Sequence, residues 1–87
     1  MDFGYFTLSD NVYPDIKRTP EEFILQIRDQ AVYADQLGMH SVWIGEHHFD
    51  SLGVNSCPHL LMASIIPLTK HVRFAPAVVV LPLQHPL

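Results

Sequence analysis

The segment SVWIG, residues 41–45, has apolar side chains at three consecutive positions, Val42, Trp43 and Ile44. A strand that is apolar on both faces is covered on both sides, which is typical of parallel sheets. Parallel strands need a crossover connection of about a dozen residues or more, usually a helix. This segment therefore predicts an α/β protein with parallel strands.

A helix is predicted directly before that strand. The sequence TPEE begins it, with Thr19 as the N-cap, Pro20 in the first helical position and Glu22 as the carboxylate of a capping box. Apolar residues then recur at helical spacing until Gly38, which supplies a C-terminal cap. The apolar face comprises Phe23, Ile24, Ile27, Ala31, Ala34 and Leu37, and the residues assigned to solvent are Glu22, Arg28, Asp29 and Asp35.

Two further strands and a second helix complete the pattern. Residues 3–8 are rich in aromatic side chains and lead into the turn-forming sequence SDNVYPD, which indicates a first strand followed by a loop. Pro58 can open a second helix that Pro67 should kink or end. Residues 71–77 and the valines after them predict a third strand, which Pro76 should end or bend.

The predicted order is strand, helix, strand, helix, strand. Such alternation implies right-handed crossovers and a parallel sheet, of either the doubly wound or the barrel kind. A sheet of three strands would leave long edges and helix faces uncovered. We therefore expect residues 1–87 to be the N-terminal portion of a larger α/β protein, with a third helix beginning near the sequence LQHPL.

Composition and charge exclude several classes of function. The net charge is −4, and the five lysines and arginines are scattered, so no basic stripe predicts nucleic-acid binding. The apolar runs of residues 60–67 and 74–83 are too short to span a bilayer, and MDFGYF does not resemble a signal peptide. The single cysteine, Cys57, excludes an intrachain disulfide and suits a reducing compartment, so we expect a cytoplasmic protein.

A run of polar residues, Glu46, His47 and His48, follows the predicted second strand. Ligands of α/β folds bind beyond the C-terminal ends of the strands, so these residues are candidates for proton handling or anion stabilisation. In a purely structural interpretation, Glu46 caps a helix or pairs with a cation, and the two histidines fill polar gaps.

A metal centre and a dinucleotide site are not predicted. Adjacent residues in extended chain point to opposite sides, so His47 and His48 are poorly placed to bind one ion, and no HxH or HExxH spacing occurs. The phosphate-binding patterns GxGxxG and GxxxxGK[ST] are also absent from the sequence. The segment APAVVVLPLQHPL has the simpler interpretation of a buried strand followed by a turn.

Three segments together resemble the bacterial luciferase-like monooxygenases: FGYFTL, GMHSVWIGEHHF and VRFAPAVVVLPLQHPL. These are flavin-dependent enzymes built on a TIM barrel, and the resemblance runs through essentially the whole chain. It implies that residues 1–87 are an incomplete TIM (β/α)8 barrel domain, a β-α-β-α-β portion that contains the first two and a half βα units.

The resemblance also implies a cofactor and roles for individual residues. Reduced FMN, supplied by a separate flavin reductase, would react with molecular oxygen in the barrel mouth so that a small organic substrate is oxygenated. His47 would be catalytic, with Glu46 and His48 as supports. Phe6 would line the flavin cavity, and Ala77 and Val78, joined by a cis peptide bond, would contact the flavin ring through their backbone.

Two alternatives stay open at this point. The same superfamily contains deazaflavin-dependent dehydrogenases and reductases, which need no oxygen. A truncated, non-catalytic chain that acts only in association with a partner is the other alternative, and a homo-oligomer would also cover the exposed sheet edges.

Overall fold

Three short parallel strands alternate with two helices, as the sequence predicts. The computed structural model describes residues 1–49 and 52–87. Within them, single turns of 3₁₀ helix at Ile66–Leu68 and Leu81–Leu83 follow the second helix and the third strand. The main elements are β1 (Gly4–Thr7), α1 (Pro20–Gln36), β2 (Ser41–Ile44), α2 (Pro58–Ile65) and β3 (Arg73–Pro76).

The sheet has the order β1-β2-β3, with both neighbouring pairs parallel. Phe6 aligns with Trp43, and Trp43 in turn aligns with Ala75. The pairing extends past the ends of the strands, because the Gly45 amide donates to the Thr7 carbonyl and the Ala77 amide donates to the Ile44 carbonyl, both at 2.8 Å. The C-terminal ends of all three strands therefore meet at one rim.

The predicted boundaries of α1 are confirmed by its capping contacts. The Glu22 amide donates to the Thr19 hydroxyl at 3.1 Å, and the Thr19 amide donates to the Glu22 carboxylate at 2.7 Å. These reciprocal bonds satisfy two of the amides that a helix N-terminus leaves without partners. At the other end, Gly38 has a φ of +77°, a left-handed conformation that glycine adopts without a steric penalty.

Both helices pack on one face of the sheet and bury a single apolar core. The largest fully buried side chains include Ile27 from α1, Ile44 from β2 and Ile65 from α2. Leu37, predicted to belong to the apolar face of α1, is 56 % exposed because it lies past the last turn of that helix. The core comprises Phe23, Ile27, Ala31, Ala34, Val42, Ile44, Met62, Ile65 and Val72.

The assignment of Asp35 to solvent was wrong. This carboxylate is buried and accepts hydrogen bonds from three consecutive backbone amides: Lys70 at 3.0 Å, and His71 and Val72 at 2.8 Å. The last turn of α1 faces the chain that enters β3, so a short carboxylate there reaches amides that have no strand partner. The bonds from Val72 and His71 hold the pKa of Asp35 below its ordinary value.

The prediction that β3 continues through the valines was also wrong, because the strand ends at Pro76. Pro76 pairs with Ile44, the last residue of β2, so no strand lies alongside the chain beyond that point. The predicted third helix is represented only by the turn at Leu81–Leu83. In contrast, α2 opens at Pro58 and ends before Pro67, as predicted.

None of the helices in the described parts of the chain combines the length and the apolar character that a membrane crossing requires.

Replacing Asp35 with Asn should lower the denaturation midpoint of the intact protein, because a neutral amide has a single acceptor oxygen for three amides that now share two. Asp29→Asn is the matched control, since its carboxylate is 68 % exposed and pairs only at the surface with Arg28. Chemical denaturation followed by circular dichroism measures both. Equal midpoints for the two variants would contradict the anchoring role of Asp35.

The same carboxylate should make stability fall in acid. Because the folded-state pKa of Asp35 is lowered, its contribution is complete above the ordinary carboxyl pKa and is lost as the pH falls through the folded-state value. The difference in unfolding free energy between the wild type and Asp35→Asn should therefore shrink on acidification. Denaturation curves across that acidic range check this, and a constant difference would count against it.

Candidate active site at the C-terminal rim of the sheet

Glu46, His47 and His48 lie directly after the C-terminal end of β2, as predicted. The hydrogen bonds from Gly45 to β1 and from Ala77 to β2 place them on the same rim as Leu8 and Ala77. The polar residues therefore lie at the end of the sheet where α/β proteins bind ligands.

Gly45 allows the chain to leave β2 at this point. A Cβ atom there would lie 3.1 to 3.2 Å from the backbone atoms of Leu8, which is closer than an ordinary van der Waals contact. Since the contact is to backbone, it cannot be relieved by rotating a side chain. The absence of a side chain at position 45 therefore lets the loop after β1 pass directly over the start of the polar run.

The carboxylate of Glu46 is buried at the rim, with 1 % of its side chain exposed. Its Oε1 lies 2.6 Å from Nε2 of His48, and its Oε2 accepts a hydrogen bond from the Val80 amide at 3.2 Å. The bond from His48 is the largest of the effects that lower the pKa of Glu46, and burial opposes it. The ionised carboxylate therefore orients His48 and also holds the chain that follows β3.

His47 points away from this pair. Its side chain is 30 % exposed, and its Nε2 lies 3.7 Å from Oδ1 of Asp10 in the loop after β1. The two adjacent histidines thus have different carboxylate neighbours, as expected for successive residues in extended chain. In residues 1–49 and 52–87, no three side chains of His, Cys, Asp or Glu lie together in a way that could hold a metal ion.

Residues 52–57 are also part of the rim, although no local pattern in the sequence indicates that position. The Asn55 carbonyl accepts from the His47 amide at 2.9 Å, and the buried Asn55 side chain bridges the Gly45 carbonyl and the Cys57 amide. Gly53 passes so close to His47 that a Cβ atom would lie 2.3 Å from the His47 Cβ and Cγ atoms. The turn-forming character of Gly53 and Asn55 was visible in the sequence, but their partners were not.

The face of the sheet opposite the helices carries exposed aromatic side chains. Tyr5 turns towards α1, where its hydroxyl bonds to Gln30, so its neighbour Phe6 lies on the other face and is 54 % exposed. Trp43, in register with Phe6, is 44 % exposed and donates its indole N–H to the Ser41 hydroxyl at 2.9 Å. Two aromatic side chains therefore lie side by side on the surface below the polar rim.

The chain beyond β3 completes this surface. A cis peptide bond joins Ala77 to Val78, as the resemblance implies, and the Val78 side chain is exposed. Three residues are expected to contact a flavin. Phe6 lies in β1, and Ala77 and Val78 directly follow β3. The middle strand, β2, places Trp43 and the polar run between them. A planar, largely apolar ring with a polar edge matches such a surface in its chemistry.

Comparison with known proteins agrees with this geometry. Residues 1–87 match the family described as luciferase-like monooxygenase over their full length. The chain belongs to the luciferase-like monooxygenase family. It folds as the N-terminal β-α-β-α-β part of the luciferase-like TIM barrel, so the fold expected from the sequence is confirmed.

Two curated members of the family align with the whole chain. The oxygenase component of a flavin-dependent trigonelline monooxygenase from Acinetobacter baylyi is 34 % identical over 87 residues. The alkanal monooxygenase alpha chain of the Kryptophanaron alfredi symbiont is 30 % identical over 87 residues. In each case the chain spans 24 % of the relative's length.

A solved structure of a monooxygenase superposes closely. It is the oxygenating constituent of 3,6-diketocamphane monooxygenase from the CAM plasmid of Pseudomonas putida, a type II Baeyer-Villiger monooxygenase in complex with FMN. The sequence identity is 31 % and the TM-score is 0.85, and the alignment covers 99 % of this chain and 23 % of that one.

Replacing Glu46 with Gln should weaken the rim, because a neutral amide cannot form charge-assisted hydrogen bonds with His48. We expect the free energy of unfolding of the intact protein to fall by about 1.5–3 kcal/mol, the usual scale for a hydrogen bond to a charged group. Glu21→Gln, at an exposed position in the first turn of α1, is the matched control. Urea denaturation measures the loss, and equal stability of the two variants would show that the buried pair contributes nothing.

Proposed function

We propose that this chain forms part of a flavin-dependent monooxygenase that uses reduced FMN and molecular oxygen to oxygenate a small organic molecule. The observation that carries the proposal is the position of His47, a partly exposed imidazole on a rim that is fixed by the buried Glu46–His48 pair. The names of the three relatives support the choice of reaction, because all three are monooxygenases and one of them is solved with FMN.

The residues of this chain fit a flavin. Phe6 and Trp43 would offer the apolar surface for one side of its ring, and the backbone of Ala77 and Val78 would approach its polar edge. Bound FMN, in its reduced form, supplies the electrons with which oxygen is activated. The chain's own contribution is to bind and orient that group and to keep water away from it.

His47 has the chemistry needed beside such a group. An imidazole can hold or release a proton near neutral pH, and oxygen transfer requires a positioned proton donor or acceptor. The carboxylate of Glu46 stays ionised and is already engaged by His48 and Val80, so it serves as a support. His48 completes that support by contacting the carboxylate oxygen that the Val80 amide does not use.

The whole protein's arrangement is part of the proposal. We infer that residues 1–87 are one incomplete barrel domain within a longer polypeptide, since the chain spans only 24 % of the relatives' length. Supply of reduced FMN by a separate reductase is supported by the term oxygenase component in a relative's name. A cytoplasmic location and association with further copies are proposed on the grounds given by the sequence. Reading the gene beyond codon 87 tests the longer polypeptide directly.

The relatives favour FMN over a deazaflavin, because FMN is the flavin named for the solved neighbour. Titrating the intact protein with FMN and with the deazaflavin F420 separates the two. Tighter binding of F420, together with turnover that needs no oxygen, would replace the monooxygenase by a dehydrogenase or reductase.

Replacing His47 with Ala in the intact protein should leave FMN binding within about twofold of the wild type but lower product formation by about 10²-fold or more, the usual scale for a positioned acid or base. Trigonelline, an alkanal and 3,6-diketocamphane serve as probe substrates, with a flavin reductase and NADH. The quantity to follow is product formed per FMNH₂ oxidised.

The matched control is His40→Ala, which removes an exposed histidine at the opposite end of β2. It should retain wild-type yield with whichever probe is turned over. An unchanged yield in the His47 variant would remove that residue from the mechanism, and no oxygen uptake with any probe would weaken the proposed reaction.

Residues 1–87 produced alone should neither bind FMN at micromolar concentration nor stay monomeric. TIM barrels commonly hold a cofactor phosphate with loops after strands seven and eight, and residues 1–49 and 52–87 form a sheet of only three strands. Its exposed Phe6, Trp43 and Val78 would invite association with other copies. Flavin fluorescence and size-exclusion chromatography test both points, and tight FMN binding by a monomer would contradict the expectation of a longer polypeptide.

A further inference from the structure

An unpartnered carboxylate oxygen lies beside His47. Oδ1 of Asp10 is buried and accepts no hydrogen bond from any group in the described parts of the chain. The nearest basic group is Nε2 of His47 at 3.7 Å, and the exposed fractions of the two side chains are 21 % for Asp10 and 30 % for His47. A buried acceptor without a donor costs free energy, so its placement next to a potential donor requires an explanation.

The backbone around Asp10 fixes the position of this carboxylate. Ser9 has a φ of 62°, so the chain turns sharply at the end of β1 and carries Asp10 over the rim. Asp10 then forms an antiparallel bridge with Gly53, flanked by bonds from the Val54 amide to the Ser9 carbonyl at 3.1 Å and from the Asn11 amide to the Leu52 carbonyl at 2.7 Å. The loop after β1 is therefore paired with the segment that precedes α2.

His47 is held by the same segment. Its amide donates to the Asn55 carbonyl at 2.9 Å, and the lack of a side chain at Gly53 leaves room for its ring. Asp10 and His47 are thus attached to positions only two residues apart in one short stretch of chain. Their separation is set by these contacts and does not depend on long flexible side chains.

We propose that Asp10 is a positioning residue for His47. The carboxylate of Asp10 accepts the Nε2–H of the imidazole, so Nδ1 is the ring nitrogen that exchanges a proton with the bound ligand. The distance of 3.7 Å lies within ion-pair range, and a small rotation of either side chain brings it to hydrogen-bonding length; such bonds are often long before a ligand binds. Glu46 does not take this role, because its carboxylate faces His48 and the Val80 amide, whereas the ion-pair contact of His47 is to Asp10.

The assignment of the protons rests on the structure alone, whereas the use of Nδ1 rests on the proposed function. In a neutral histidine one ring nitrogen carries the proton and the other accepts, so a fixed carboxylate beside Nε2 selects one tautomer. Removing the carboxylate frees the ring to adopt either tautomer. Only a fraction of the molecules then have an unprotonated Nδ1 that can accept a proton.

The first test uses no flavin and no turnover. The intact protein is labelled with ¹⁵N-histidine, and the ring signals of His47 are assigned by their loss in His47→Gln. At a pH where the ring is neutral, we expect protonation at Nε2 in the wild type, in Asp10→Glu and in the control Asp15→Asn, an exposed carboxylate of the same loop. Asp10→Asn should show a mixture of tautomers.

Protonation at Nδ1 in the wild type would overturn the proposal without any variant. It would also be overturned if the Nε2 tautomer persisted both in Asp10→Asn and in Asp10→Ala, which leaves no side-chain acceptor at position 10, since the side chain of Asp10 would then have no influence on the ring. These outcomes do not depend on which reaction the protein catalyses, so they are distinguishable from failure of the proposed monooxygenase function.

The second test asks whether Asp10 acts through His47. Asp10→Asn should lower product formed per FMNH₂ oxidised by about tenfold, less than the loss of His47 itself, and Asp10→Glu should restore most of it. Adding Asp10→Asn to His47→Gln should produce less than about a twofold further change, because the two residues form one unit. A full tenfold loss in that background would show that Asp10 acts independently and would overturn the positioning role.

Discussion

The carboxylate of Asp35 connects the end of α1 to the start of β3, and the position at which β3 enters the sheet depends on it. Three consecutive amides before β3 donate to this one side chain, so the start of β3 has a fixed position relative to the last turn of α1. The register of β3 against β2 follows, and with it the position of Ala77 at the rim. A contact at the start of β3 therefore helps to place the residues at the other end of this strand, on the rim.

A second buried carboxylate holds the other end of the same strand. Glu46 accepts from the Val80 amide after β3, whereas Asp35 accepts from amides before it. β3 has only four residues and therefore forms few ladder hydrogen bonds. Two ionised side chains from neighbouring elements thus compensate for a short strand, and in both cases backbone amides help to keep the carboxylate charged.

Local signals in the sequence were sufficient for α1, for β2 and for the location of the polar run. The capping box joins Thr19 and Glu22, which are three residues apart. Glu46 to His48 directly follow an apolar strand, so residues close together in the sequence were enough to predict both features. Asp35 was misassigned because its partners are backbone amides, which leave no mark in the sequence. Asp10 was missed for a related reason: its turn-forming neighbours predicted a loop, and nothing in that loop indicates which distant segment it meets. The valines after Pro76 have strand propensity, but β2 ends too early to pair with them.

The parallel pairing of β1 with β2 has a consequence for synthesis on the ribosome. Gly4 aligns with Ser41, so the first strand cannot find its partner until the whole crossover has been made. Meanwhile α1 can form on its own from its capping box and helical spacing. Until β2 has been made, the aromatic strand GYFT has no strand partner. Because α1 is synthesised between β1 and β2, it can cover one face of β1 during that interval.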